Sequence, residues 1–161
     1  MDFARQINTE RLSLRALRKQ DLWFFWTLIG NASVRRYLGG PVPCDQRLPR
    51  FKQYLGAPGV WVVDLDEHDR PIGLIELGPH KDGADYEISY QFHPRFWGNG
   101  FGHEAIQAII RHGLDDTGLE QIIAETQSAN LASCRLLEKQ GMAEIARVQR
   151  FGAEQIIFAI T

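Results

Sequence analysis

Apolar and polar residues alternate over residues 11–17: Leu12, Leu14 and Ala16 oppose Arg11, Ser13 and Arg15, the period of a half-buried strand. An aromatic run at 22–29 follows Asp21 and stops at Gly30-Asn31, which predicts a short helix. Trp23, Phe24, Phe25 and Trp26 crowd that helix, so part of it has to meet the core or line a cleft. Between 31 and 59 the pattern dissolves. Pro41, Pro43, Pro49 and Pro58, with the turn signal Gly39-Gly40-Pro41, leave room for one or two short helices.

Regularity returns with strands at 60–64 and 72–77, joined as a hairpin through the turn at 66–71, and a third strand at 86–92 after the turn at 80–83. A glycine-rich turn at 97–102 leads into a helix marked by Ala105, Ile106, Ile109, Ile110 and Leu114, with Gly113 and Gly118 at its end. A short strand at 122–126, a helix from Asn130 to Gly141, and a closing hairpin around Gly152 complete the chain. Three consecutive strands followed by alternation imply an α/β fold with a mixed sheet and helices on both faces. No linker or repeat divides the 161 residues, so one domain is expected, with its motif-bearing core at 9–161.

Composition narrows the function. Hydrophobic residues are 44% and charged residues 24%, values of a folded globular chain rather than a disordered one. The net charge of −2 and the lack of a dense Lys/Arg block argue against nucleic acid as a general partner. No apolar run reaches the length of a membrane span, and no apolar leader precedes the first strand. Cys44 and Cys134 form no CxxC pair, so no metal site is expected, and two free thiols fit a reducing cytoplasm. As a nucleophile Cys134 would need an adjacent base, and its only charged sequence neighbour is Arg135.

The strongest local signal is Trp97-Gly98-Asn99-Gly100-Phe101-Gly102-His103. Three alternate glycines between a strand and a helix let the backbone approach a ligand, with free amides and the positive helix end aimed at one spot. That is a site for phosphate or pyrophosphate. A dinucleotide fingerprint would need glycine where His103 stands, and no Gly-Lys-Ser/Thr occurs. A loop that needs glycine only for its shape, with Gly102 at the helix N-cap, would look the same.

Residues 84–105 resemble the acyl-CoA-binding motif of the GCN5-related N-acetyltransferases (GNAT), and 126–142 resemble that family's Asn-x-x-Ser helix. The opening Thr9-Glu-Arg-Leu-Ser-Leu-Arg and the Trp-Gly-x-Gly-Phe-Gly form are similar to the RimJ/RimL-like branch, which modifies protein N-termini. The resemblance implies a GNAT-like fold with a mostly antiparallel mixed sheet. It implies transfer of an acetyl group from acetyl-CoA to a primary amine, on a protein N-terminus or a small molecule, by direct attack in a ternary complex. The amides of Gly98, Asn99, Gly100, Phe101, Gly102 and His103, with Trp97 before them, would hold the pyrophosphate of coenzyme A. The backbone of Tyr90, Gln91, Phe92 and His93 would pair with pantetheine, and Asn130 would contact that arm near the sulfur. Homodimerisation is carried over only as a habit of the family.

Two residues of this chain stand out for the chemistry. Glu87 shares one side of its strand with Ser89 and Gln91, while Ile88, Tyr90 and Phe92 take the other, so Glu87 is the expected base and Glu76 the reserve. Leu137 replaces the tyrosine that many relatives use to protonate the departing thiolate; Ser133, one helical turn after Asn130, is the expected donor instead, as in the RimL-like branch. Helix capping alone would also explain Asn130 and Ser133. Trp23, Trp26 and Glu76 are expected on the acceptor side. The competing class is a non-catalytic acyl-CoA sensor, which the missing tyrosine favours; a nucleotide-binding protein using the same turn is a third.

Overall fold

The computed structural model describes residues 5–65, 69–83 and 85–161. Eight strands form one sheet in the order β1-β2-β3-β4-β5-β6-β8-β7. In chain order they are β1 (Ile7–Asn8), β2 (Leu12–Arg15), β3 (Val60–Leu65), β4 (Pro71–Pro79), β5 (Tyr86–Phe92), β6 (Ile122–Gln127), β7 (Ala143–Arg150) and β8 (Ala153–Ile160). The helices are α1 (Leu22–Ile29), α2 (Cys44–Tyr54), α3 (Phe101–Arg111) and α4 (Leu131–Lys139). Every neighbouring pair is antiparallel except β5 and β6, which are parallel. The expected mixed sheet is thus present.

Strand alternation sorts the core into two layers. On one face Val60, Val62 and Leu74 meet Phe25, Leu28 and Ile29 of α1 and Phe51 of α2. On the other, Trp61, Ile75, Ile88 and Phe92 meet Ala105, Ile106 and Ile109 of α3 and Leu137 of α4. Among the described residues no helix is long and apolar enough to cross a membrane. Of the turn expected at 66–71, residues 66–68 lie outside the described residues.

Three details depart from the pattern. β2 is buried on both faces rather than half-buried, because Arg15 carries its own counter-charges inward. Its guanidinium donates to Asp64 (Nε–Oδ2 2.5 Å) and to Asp21 (Nη1–Oδ2 2.8 Å), with all three residues at most 4% exposed. α2 runs through Pro49, where proline spacing predicted a break, its N-terminus set by Pro43 and its inner face held by buried Phe51. α3 starts at Phe101 with Gly100, not Gly102, as the N-cap, and Gly113 does not end it. The helix continues into a π turn at His112–Asp116, where a Cβ on Gly113 would come within 2.6 Å of Ile122 Cδ1. That glycine serves close packing rather than termination.

Candidate active site

β5 pairs with β4 along its whole length, from Pro79↔Tyr86 to Gly73↔Phe92. With β6 it pairs only at Tyr86↔Ile122 and Glu87↔Ile123, after which β6 keeps to β8 as far as Gln127↔Gln155. From Ile88 onward the two strands part, and the facing edge of β5 has no ladder partner. Backbone groups on such an edge take up an extended ligand as they would another strand. The fork closes at its base at the Glu87↔Ile123 pair, with the Glu87 carboxylate near Glu125 of β6. Burial pushes that carboxyl up, against the pull of nearby His80, whose Nε2 lies 3.9 Å from Glu87 and 3.1 Å from Glu125.

At its C-terminal end β5 runs into the glycine turn. His93 Nδ1 accepts the Arg95 N–H (3.2 Å) over a short 3₁₀ turn, and the Trp97 indole N–H donates to the Phe92 carbonyl (2.8 Å). Asn99 donates to the carbonyls of Phe96 and Trp97. Gly98 (φ 77°) and Gly100 (φ 78°) take the left-handed conformation that turns the chain into α3. Arg11 braces the outside: Nη1 donates to the Asn99 carbonyl (2.9 Å), Nε to Glu104 (2.7 Å), and the guanidinium covers the Phe101 ring. Burial alone would raise the Glu104 carboxyl; hydrogen bonds from Thr9 and Arg11 hold it below its ordinary value instead. The carbonyls of Phe96, Trp97, Asn99 and Gly100 are tied down, whereas the amides of residues 98–103 have no protein acceptor among the described residues. Consecutive free N–H groups at the start of an eleven-residue helix make an anion cradle.

Across the fork, Asn130 caps α4, its side-chain oxygen accepting the Ser133 N–H at 3.2 Å. That leaves the Asn130 amide N–H₂ group and the Ser133 hydroxyl for other uses. The hydroxyl is met by Tyr90, with 2.7 Å between the two oxygens. Burial pushes the Tyr90 phenol up to about 12. The strand pattern puts Tyr90 on the apolar side of β5 and implies only its backbone in binding; a phenol entering a core needs a partner, and that is the signal in the sequence for its hydroxyl. Cys134 is buried and burial raises its thiol, as expected of an inert helical cysteine.

On the α1–α2 face lies a cavity of about 120 Å³, walled by Arg35, Arg50, Tyr54, Glu76, Ser89 and Gln91 among others. Glu76 is opposite Ser89 in the β4–β5 ladder, 3.5 Å from its hydroxyl. Burial raises the Glu76 carboxyl, with Tyr54 and Ser89 as hydrogen-bond donors pulling the other way. Glu87 shares this side of the strand but does not line the cavity, and neither do Trp23 and Trp26. Trp23 is 75% exposed on α1, and Trp26 lies under the Arg47 guanidinium. Arg35, Arg50 and Tyr54 come from the proline-rich stretch whose elements the sequence did not resolve. A wider groove beside β1 and α3 touches Gly100 and His103 but is lined mostly by polar residues of the outer surface. Among the described residues no cluster of metal-ligating side chains occurs.

A forked sheet with a glycine turn leading into a helix suits an extended ligand with an anionic end. The family profile of an acetyltransferase (GNAT) domain matches residues 11–143, and the chain belongs to that family. It is 29% identical over 138 residues to YnaD, described as an uncharacterized N-acetyltransferase of Bacillus subtilis strain 168, covering 84% of this chain and 81% of that one. In fold it is similar to a GNAT-family acetyltransferase from Bacillus anthracis (TM-score 0.87, 24% identity, 97% and 98% of the two chains). It is also similar to spermidine N-acetyltransferase from Vibrio cholerae, solved in complex with CoA and spermine (TM-score 0.79, 21% identity, 94% and 96%).

Proposed function

We propose that this acetyltransferase takes its acetyl group from acetyl-CoA and passes it to a primary amine by direct attack in a ternary complex. The observation that carries the proposal is the continuity of the free β5 edge with six free amides at residues 98–103. A thioester carrying a diphosphate on a long polar arm has the chemistry to fill both. Acetyl-CoA supplies the activated carbonyl when bound.

The chain's own residues do the rest. The amides of residues 98–103 hold the diphosphate, the edge from Tyr90 to His93 aligns the pantetheine, and Asn130 contacts the arm through its amide N–H₂ group. Glu76 takes the proton of the amine as its nitrogen bonds to the acetyl carbon. The C–S bond breaks, and the sulfur leaves as a thiolate that the Tyr90–Ser133 hydroxyl pair stabilises by donating a hydrogen bond. Glu87, first choice from the strand pattern, stays at the base of the fork in this scheme, because it does not line the cavity that Glu76 does. Tyr90 supplies the hydroxyl that Leu137 lacks, which removes the main support for a non-catalytic sensor.

Thiol release from acetyl-CoA over a panel of amines, N-terminal peptides included, tests the proposal. Amine-dependent release is expected. Thermal stabilisation by acetyl-CoA without turnover of any amine would establish the sensor instead.

A further inference from the structure

We propose that the acceptor amine carries a carboxylate close to its nitrogen, and that Arg35 and Arg50 bind it. The inference rests on the transferase reading and names the substrate class of the same site.

Two guanidinium groups share the wall of the 120 Å³ cavity. Arg35 spends its donors on neutral acceptors: the carbonyls of Gly40 (2.9 Å) and Leu38 (2.5 Å), and more weakly the Gln91 side chain (3.4 Å). Arg50 has no hydrogen bond to protein among the described residues, and neither arginine has a carboxylate within 4.0 Å there. By contrast Arg11, Arg15 and Arg150 each face an acid. Burial lowers the Arg35 guanidinium's pKa, and the charge of Arg50 lowers it further. Glu76, on the same cavity wall, acts on both arginines at longer range and offsets one of the two positive charges; an incoming anion answers the other and takes up the unused donors.

The cavity has a second pole. Glu76 sits on the sheet floor as the proton acceptor for the amine. An acceptor that satisfies both poles carries nitrogen at one end and negative charge at the other. Both poles wall the same small cavity, so one compact head group can reach them together. A free amino acid or a compound with such a head group meets these conditions. A polycation does not, because both arginines repel it.

The experiment compares kcat/KM for free amino acids with their carboxamides, their decarboxylated amines and spermidine, in wild type, Arg50→Gln and Arg50→Lys. Thermal melting and acetyl-CoA affinity check that each variant is folded and loads its donor. The expected result is a preference of at least ~10-fold for the carboxylate over its carboxamide, the scale of one charge-assisted contact. Arg50→Gln should collapse that ratio towards one through KM, and Arg50→Lys should restore part of it. Equal or better turnover of carboxamides or spermidine, or a ratio untouched by Arg50→Gln, overturns the proposal while the transferase reading stands. Binding of acetyl-CoA with no turnover of any amine overturns the transferase reading itself.

Discussion

The phenol oxygen of Tyr90 on β5 and the hydroxyl of Ser133 on α4 lie 2.7 Å apart, bridging strands that have already separated. An ordinary thiol titrates near 8.5. A phenol pushed up to about 12 is the weaker acid, so the pair serves a departing thiolate chiefly as a hydrogen-bond donor. A hydrogen bond to a charged group is worth about 1.5–3 kcal/mol, or roughly a 10- to 100-fold change in rate. Tyr90→Phe should lower kcat by that range with little change in KM for acetyl-CoA. If the two hydroxyls act as one unit, Tyr90→Phe combined with Ser133→Ala should cost little more than the worse single change. Steady-state kinetics of the three variants decides it.

The proposal of Glu76 as the base carries a definite pH dependence of activity. The carboxylate is the working form, and burial raises its titration above the ordinary 4.5. Activity should therefore fall as pH drops, with a midpoint above that value. Glu76→Gln should remove the acid limb and lower kcat about 10²–10⁴-fold, the usual worth of a positioned base. Glu87→Gln should leave the limb in place. A limb that vanishes with Glu87→Gln and survives Glu76→Gln would exchange the two roles.

Gly100→Asp tests the anion cradle. A Cβ there meets Arg11 Nη2 at 3.3 Å in a backbone with φ 78°, so the side chain is strained and its carboxylate competes for the free amides. Affinity for coenzyme A should drop at least ~10-fold, about one charge-assisted contact. Undiminished affinity by calorimetry would mean that the diphosphate is held elsewhere.

Arg15→Met probes the buried ion-pair cluster. The change strands Asp21 and Asp64 without their shared cation in a site where all three side chains are almost fully enclosed. Breaking such a pair from one side costs about 3–5 kcal/mol. Urea unfolding should show that loss, and replacing the whole cluster with matched apolar residues should recover much of it.

Glu104 links stability to acidity. Its carboxyl is held below 4.5 in the folded chain by Thr9 and Arg11 despite burial. Its contribution is therefore complete above 4.5 and disappears as pH falls through the lower folded value. Glu104→Gln should be less stable than wild type at neutral pH and converge with it in acid, measured as melting temperature against pH.

Much of this architecture was legible from the sequence. Apolar runs between turn signals located β3 to β6, and the bounds of α1 follow from Asp21 and Gly30. The glycine turn and the Asn130–Ser133 helix could be read because their local chemistry, positive φ and capping, is written in consecutive residues. What stayed hidden depends on contacts remote in the chain. Arg15 looked like the wet side of a strand because Asp64 is 49 positions away. Tyr90 looked apolar because Ser133 is 43 positions away. Arg35, Arg50 and Tyr54 lay among prolines that signal irregularity without giving its geometry. Glu76 and Glu87 are equivalent by strand pattern, and only burial, neighbours and the cavity wall separate them.

The sheet's two halves are stapled at their middle by just two residue pairs, Tyr86↔Ile122 and Glu87↔Ile123. Mechanically that is a pair of plates on a short seam. Whatever occupies the gap acts as mortar, so the empty enzyme should breathe there first, the gap-facing amides within 88–92 and 124–127 exchanging faster than those bonded to β4 and β8. A loaded enzyme should stiffen along the same line, and letting the spent carrier go then becomes a matter of reopening the seam, a step that can set the pace of turnover.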